Sequence, residues 1–319
     1  MDELIEISSM TRITADALSN IRQYMKDSEG SYADNTMRAV RADTGVFFRW
    51  CADHGVQGLP ANPRHVAYFV DDSHSKRPST IHRCLSSIAK VHRAAGLIDP
   101  TKEECVKLAV KRMEREVGTA RKQAKPIRRA MLDQMIAACD KTTPIGIRDA
   151  AILAVAYDTM CRESEIVAMR VRDFSFASDG KAVVFIPRSK GDQRGEGRHK
   201  YLHNDTVDFL REYLRLLPRD HQGQAFRAMD HYQLAGPLQA PEIARIFRKV
   251  ATRAGFDPEG ISGHSIRVGV TQDCNAAGIA TGKTANAGGW SSEKYVHMYS
   301  RELDTRDSAT AELAKVQGR

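Results

Sequence analysis

Ser262-Gly263-His264-Ser265-Ile266-Arg267-Val268-Gly269 carries a histidine and an arginine in the pattern His–x–x–Arg, and Ala287-Gly288-Gly289-Trp290 follows, with Tyr299 nine residues beyond the tryptophan. Upstream, Arg162-Glu163-Ser164-Glu165-Ile166 gives Arg–x–x–Glu between two helical stretches. Pro187-Arg188-Ser189-Lys190-Gly191 sets a lysine in a loop between two β-type runs. Singly these are weak signals: an arginine near a glutamate is ordinarily a surface pair, and a histidine beside Ser and Arg ordinarily a structural one. Trp290 alone reads as core and Tyr299 as packing. Their common order and spacing make an improbable accident.

Together they suit phosphoryl chemistry. Cutting a phosphodiester without a metal requires cations on the non-bridging oxygens, a nucleophile, and an acid for the leaving 5′-oxygen. Arginine meets the first need, because its fork holds two phosphate oxygens and keeps its charge. The phenolate of tyrosine (free pKa about 10) can attack and later leave again. Lysine or histidine can donate the proton.

Outward from these segments, residues 11–117 read as helices. Leu18, Ile21, Tyr24 and Met25 form one stripe. A second helix starts near Asn35-Thr36 and carries Val40, Phe47, Phe48, Trp50 and Cys51. Pro63 opens a third with Val66, Tyr68, Phe69 and Val70, and Pro78-Ser79-Thr80 a fourth with Ile81, Leu85, Ile88 and Val91, ended by Gly96. The fifth runs from Thr101 into a basic segment. Core packing accounts for each stripe, and the polar faces with Arg38, Arg41, Arg83 and Lys90 are candidates for nucleic acid.

Residues 118–128, with Gly118, Pro126 and few apolar side chains, are expected to link a domain over 1–117 to one over 129–319. The second domain is expected to hold helices at about 130–140, 147–160, 205–216, 240–254, 265–277 and 305–316. Strands are expected at Val171–Phe176, Ala182–Pro187 and His199–His203, with Asp179-Gly180 as a turn signal. The fold class is therefore mainly α with a small antiparallel β-sheet.

The net charge of +8 suggests a polyanionic partner. Residues 1–29 hold three basic and six acidic side chains, so that arm is no nucleic-acid tail. Residues 107–129 hold nine cations (Lys107, Lys111, Arg112, Arg115, Arg121, Lys122, Lys125, Arg128 and Arg129) against Glu114 and Glu116. Such a run is commonly a solvated helix face, but its place at the domain junction also suits a strap across phosphates. Arg121, Lys122 and Lys125 are its candidate contacts.

None of the six cysteines forms a C-x-x-C pair; Cys51 and His54 form C-x-x-H without a second pair, so neither metal nor disulfide framework is expected. The acidic start Met1-Asp2-Glu3-Leu4-Ile5-Glu6 is unlike a secretory signal, and no apolar run has the length of a membrane span. A cytoplasmic location follows as an expectation.

The constellation resembles the tyrosine recombinase (phage integrase) family, over roughly residues 30–305, strongly in the second domain and weakly in the first. Asn35-Thr36 through Trp50-Cys51 looks like the family's second helix, and Ala156-Tyr157-Asp158-Thr159 leads into Arg162 as in the family. The resemblance implies a helical core-binding domain and a mixed α/β catalytic domain forming a clamp around DNA. The implied partners are short inverted-repeat sites in double-stranded DNA, bound by a dimer on one site and a homo-tetramer on paired sites, with no cofactor and no membrane. The implied setting is the nucleoid of a bacterial, plasmid or phage system.

Carried over, Arg162 and Arg267 would clamp the scissile phosphate and Trp290 complete that pocket. Tyr299 would attack to give a 3′-phosphotyrosyl bond, and Lys190 would protonate the departing 5′-hydroxyl. His264 would assist proton transfer and Glu165 orient its neighbours. Many members have histidine where Trp290 stands, which narrows the resemblance to those with tryptophan.

Tyr295 lies one helical turn before Tyr299 and is a second candidate, though the spacing from Trp290 favours Tyr299. Lys200, Arg188 and Arg194 compete with Lys190, which is preferred because it closes a β-type run and precedes Gly191. Ala277–Thr284 fits a loose phosphate-loop pattern, but such a loop must follow a buried strand, and Thr271, Gln272, Asp273 and Asn275 make none. A DNA-binding regulator on the same fold, and a strand-transferase that relaxes supercoils or closes hairpins, are the competing functions. A regulator has no use for the full set of Arg162, Lys190, His264, Arg267 and Tyr299.

Overall fold

Prolines and short polar caps set where the helices begin. In the computed structural model, which describes residues 14–32, 34–120, 122–189, 192, 195–230, 233–306 and 309–318, the chain forms two compact units, Met1–Arg121 and Lys122–Arg319.

In the first unit Thr14 caps α1 (Ala15–Asp27) by accepting from the Ala17 amide. Asn62 caps α3 (Pro63–Asp71), and Pro78 opens α4 (Pro78–Ala94), where a missing amide costs nothing. Between them lies α2 (Asp34–Asp53). The expected fifth helix from Thr101 divides: a 3-10 turn at Pro100–Lys102, capped by the Asp99 carboxylate, precedes α5 (Glu104–Val117). Gly118, at φ 77°, ends α5. The core is Phe47, Phe48, Cys51, Val66, Phe69, Val70, Ile81, Leu85, Ile88, Val106, Ala109 and Met113, with α3 packed on α5 and α2 on α4. Tyr68 faces solvent instead, 56% exposed.

The second unit is built on α7 (Pro144–Thr159), whose run Ala150–Ala156 is apolar and buried all round, as a central helix must be. Around it lie α6 (Arg129–Ala137), α9 (Asn204–Leu214), α10 (Ala240–Arg253) and α11 (Ser265–Ala276). The short α8 (Glu163–Ala168) follows α7. A 3-10 turn takes Val171–Asp173, so β1 is only Phe174–Phe176; β2 (Ala182–Ile186) and β3 (Arg198–Leu202) complete an antiparallel sheet of order β1-β2-β3. A second hairpin, β4 (Arg227–Asp230) and β5 (Gln233–Pro237), has no counterpart in the sequence reading.

Beyond α11 come α12 (Thr281–Gly288), α13 (Lys294–Arg306) and α14 (Ala309–Val316). The helix expected over about 305–316 meets the end of α13 and α14, and residues 307 and 308 lie outside the described residues. The loose phosphate-loop match follows α11 rather than a strand and turns at Gly278 into α12, so it is a helix–turn–helix connection.

The segment before α6 is pinned to this unit. Lys125 N donates to Gly260 O, Ile127 N donates to Ser265 O, and Ile127 is fully buried. Gly269 makes that approach possible, since a Cβ there would sit 1.9 Å from Ile127 O. Asp273 fastens the same stretch by accepting from Arg128 Nε, Arg129 N and the Tyr157 hydroxyl.

Candidate active site

α7 ends at Met160 in the left-handed region (φ 52°, ψ 26°), a conformation costly for a residue with a side chain. The turn delivers Arg162 to the start of α8, where Glu165 grips it twice. Glu165 Oε2 accepts from Arg162 N at 2.8 Å and Oε1 from Arg162 Nη1 at 2.7 Å. Glu165 itself is buried.

Arg267, in the first turn of α11, is 2% exposed. Its Nη1 donates to Met160 O and its Nη2 to Gly288 O, which leaves Nε buried without a partner. Burial, and then the charge of Arg162, lowers the Arg267 pKa from its ordinary value, while Glu165, Tyr299 and Cys161 act the other way. Two guanidinium groups are therefore neighbours in a poorly solvated place.

The Trp290 ring lies 4.7 Å from the Arg267 guanidinium carbon and 5.5 Å from the Tyr299 ring. Gln123 Nε2 and Gln272 Nε2 both donate to Tyr299 O, which ties α13 to α11 and to the pinned segment. Tyr295 is 43% exposed, one turn earlier on α13.

His264 occupies the N-cap of α11 and is exposed. A Cβ on Gly263 beside it would fall 2.0 Å from the Glu163 carboxyl, so that side chain would have to move. The structure thus gathers Arg162, Glu165, Arg267, Trp290 and Tyr299, with His264 heading the helix that carries Arg267. Lys190 and the competing Arg194 lie outside the described residues. Asp192, which lies between them in sequence, accepts through its carboxylate from the amides of Gly195, Glu196 and Gly197.

A small cavity beside Arg162 is lined by Met160, Cys161, Glu165, Ser189, Arg198, Lys200, Gly288 and Gly289. Burial pushes the Cys161 thiol up to about 11 and lowers the Lys200 pKa. Arg198 escaped the sequence reading, Ser189 entered it only as part of the loop that carries Lys190, and Lys200 only as a competitor. The signal was available: β3 alternates around Leu202, which is fully buried, so Lys200 and Arg198 share its inward face. Arg162, Arg198, Lys200 and Arg267 against Glu165 make this cluster an electropositive pocket. Buried donors with unspent capacity, Arg267 Nε and Ser189 Oγ, suit an anion.

The other candidate cations are less uniform. Arg38 donates to Asn35 Oδ1 on α2, and Arg83 is held bidentately by the buried Asp43 at 2.9 Å. Arg41 and Lys90 line an apolar cleft with Leu18, Met25 and Phe48, and Lys90 sits over the Tyr32 ring. Lys122 pairs with Glu259, and Lys125 donates to Asp257 O. Arg121 lies outside the described residues. Cys51 is core, while His54 stacks on Trp50, so the C-x-x-H pair does not converge.

Comparison with known proteins places these features in context. The model of the phage integrase family matches residues 125–306. The chain is 30% identical over 282 residues to an integrase/recombinase xerD homolog of Selenomonas ruminantium, covering 85% of this chain and 82% of that protein. It is 24% identical over 314 residues to the Cre recombinase of Escherichia phage P1, covering 92% and 91%. Among solved structures, the fold is similar to a Tn1549 transposon integrase in complex with transposon right end DNA, with TM-score 0.63, 11% identity, and 91% and 99% of the two chains covered. It is also similar to a lambda integrase dimer bound to a COC′ core site, with TM-score 0.58, 14% identity, and 88% and 94% covered.

Proposed function

The chain belongs to the phage integrase family of tyrosine recombinases, and on that footing we propose that it recombines specific DNA sites through a 3′-phosphotyrosyl intermediate. The observation that carries this reading is the pair of neighbouring guanidinium groups, Arg162 gripped by Glu165 and Arg267 buried against Trp290, with the Tyr299 ring on the same tryptophan.

Arg162 and Arg267 neutralise the non-bridging oxygens of the scissile phosphate. The Tyr299 oxygen forms a bond to phosphorus as the bond from phosphorus to the 5′-oxygen breaks. The phenol proton leaves with the help of His264, and Lys190 gives a proton to the departing 5′-oxygen. Glu165 fixes Arg162, and Trp290 orders Arg267 and Tyr299. The phosphoester is conserved in the protein–DNA bond, so a 5′-hydroxyl of another strand reseals it by the reverse steps with no nucleotide hydrolysis. The cations supply the charge stabilisation for which other phosphoryl-transfer enzymes use a metal ion.

The DNA partner is a short inverted-repeat site, with a dimer on each site and a tetramer on a synapsed pair. Both units contribute phosphate contacts: Arg38, Arg41 and Lys90 from the first and Arg121 from the junction, with Arg83, Lys122 and Lys125 exchanging Asp43, Glu259 and Asp257 for phosphate. The terminal helix α14, with Leu313 48% and Val316 85% exposed, docks on a neighbouring protomer.

Plasmids carrying one or two copies of the footprinted site in the flanking DNA test the function. Deletion, inversion or fusion that requires two copies supports it. Relaxation or hairpin closure with one copy identifies a strand-transferase of another kind, and binding without covalent adduct identifies a regulator.

A further inference from the structure

Lys200 lines the proposed phosphate pocket, and its contacts differ from those an acid on the leaving group needs. β3 pairs with β2 so that Lys200 lies opposite Val184 and Arg198 opposite Ile186, on the face of the sheet that enters the core. From there Lys200 Nζ donates to Ala287 O. The next carbonyl, Gly288 O, accepts from Arg267 Nη2 at 2.9 Å.

Ala287 and Gly288 close α12, where the last carbonyls lack helical partners and the helix dipole is negative. Two cations from different elements thus hold two successive carbonyls. What those carbonyls control is Trp290. Gly289 follows in the left-handed conformation (φ 66°), and Trp290 N donates back to Ala285 O. The indole folds over Gly288 so closely that a Cβ on Gly288 would lie 2.0 Å from the ring. A shift of the α12 terminus moves the indole, and with it the surface that meets Arg267 and Tyr299.

We propose that Lys200 is a positioning residue, which anchors the end of α12 and so sets Trp290 against Arg267 and Tyr299. It acts through the turn and not on the leaving oxygen. This rests on the reading of the pocket given above, but one arm of its test needs no DNA. Burial withdraws the Lys200 ammonium from water and lowers its pKa.

The chain has two tryptophans, Trp50 and Trp290, so Trp50→Phe leaves Trp290 as the single reporter. In that background Lys200→Met should change Trp290 emission and its accessibility to a neutral quencher, and Lys200→Arg should restore both in part. On DNA, Lys200→Met should slow cleavage roughly 10²-fold, the scale of a 1 Å misplacement, with site affinity retained. A substrate with sulfur at the 5′-bridging position leaves without a proton; it should rescue Lys190→Ala and leave Lys200→Met slow.

Rescue of Lys200→Met by sulfur would overturn the proposal in favour of direct proton donation. Unchanged Trp290 fluorescence, or full cleavage by both Lys200→Met and Lys200→Gln, would overturn it as well. Should Lys200→Met fail to fold, the Gln and Arg variants carry the same comparisons. Absence of any wild-type adduct on the footprinted site would sink the catalytic reading itself, while the fluorescence arm would still decide whether Lys200 holds the turn.

Discussion

Glu165 offers the sharpest perturbation of the pocket. Its carboxylate accepts from Arg162 N and Arg162 Nη1 at 2.8 and 2.7 Å, and the side chains of Arg162 and Glu165 are 21% and 8% exposed. Glu165→Ala removes both bonds and leaves the two guanidinium groups uncompensated by the carboxylate that faces them. Hydrogen bonds to charged groups are worth about 1.5–3 kcal/mol each; water reaches part of Arg162, so the total loss should be about 2–3 kcal/mol. For a unit of this size that corresponds to a fall in Tm of about 4–12 °C. Glu165→Gln keeps an acceptor oxygen and loses the charge, so its stability cost should be smaller.

The two variants separate charge from position. In Glu165→Gln the pocket becomes one charge more positive, so DNA affinity should hold or rise at low salt. Cleavage per bound complex should nevertheless fall, because Arg162 is no longer fixed; a loss of about 10²-fold matches a displacement near 1 Å. Gel-shift titration gives the affinity, and single-turnover cleavage on a nicked suicide substrate gives the rate. Weaker binding with an unchanged rate per complex would refute the positioning of Arg162 by Glu165.

Three further outcomes follow from other parts of the chain. If about 6–10 phosphates are contacted, site affinity should fall roughly 10³–10⁵-fold between about 50 and 200 mM salt, and a flat titration would contradict the phosphate contacts. Truncation after Arg306, which removes α14, should spare binding of one protomer to a half-site but abolish cooperative filling of the full site; unchanged cooperativity would rule out docking of α14 on a neighbour. His92 is buried as the neutral imidazole, with Nε2 accepting from Ala61 N and Nδ1 facing Ile88 O, and burial lowers its pKa. The unfolded chain therefore binds the proton first. The contribution of His92 is fully present above about pH 6.5 and is lost progressively as pH falls below that value and through the lowered pKa of the folded state. Denaturation of wild type and His92→Gln should show the wild-type advantage shrinking toward acid, and a constant difference would contradict the neutral assignment.

The grouping of the pocket's residues was legible in the sequence where the spacing between them is short and fixed. Arg162 and Glu165 sit on the same short helix start, and Trp290 and Tyr299 are joined by one turn and part of one helix. Lys200 was harder, because its role depends on the register that sets it opposite Val184, and on a carbonyl 87 residues away. Arg83 read as a free cation for the same reason: its partner Asp43 is on another helix, 40 residues distant. Of the junction cations, Lys122, Lys125, Arg128 and Arg129 meet Glu259, Asp257, Asp273 and Asp205, which no local pattern could reveal. The hairpin β4–β5 gave no period-two signal because both of its strands are half-exposed and mixed in polarity. The helical stripes were readable because Pro63 and Pro78 open helices in the sequence as they do in space, whereas Pro144 opens α7 three residues before its expected start at about 147.

The nucleophile decides the account. Tyr299→Phe removes one oxygen and keeps the ring against Trp290, so folding and DNA affinity should hardly change. Tyr295→Phe is the matched control one turn earlier. In-line attack needs the phenol oxygen about 3 Å from phosphorus, and two tyrosines a turn apart cannot both reach it. A nicked suicide substrate built on the footprinted site traps the covalent complex, and peptide mapping identifies the residue that bears the DNA. An adduct on Tyr299 in the wild type and in Tyr295→Phe, and none in Tyr299→Phe, is the predicted result; an adduct on Tyr295, or one formed by Tyr299→Phe, would contradict it.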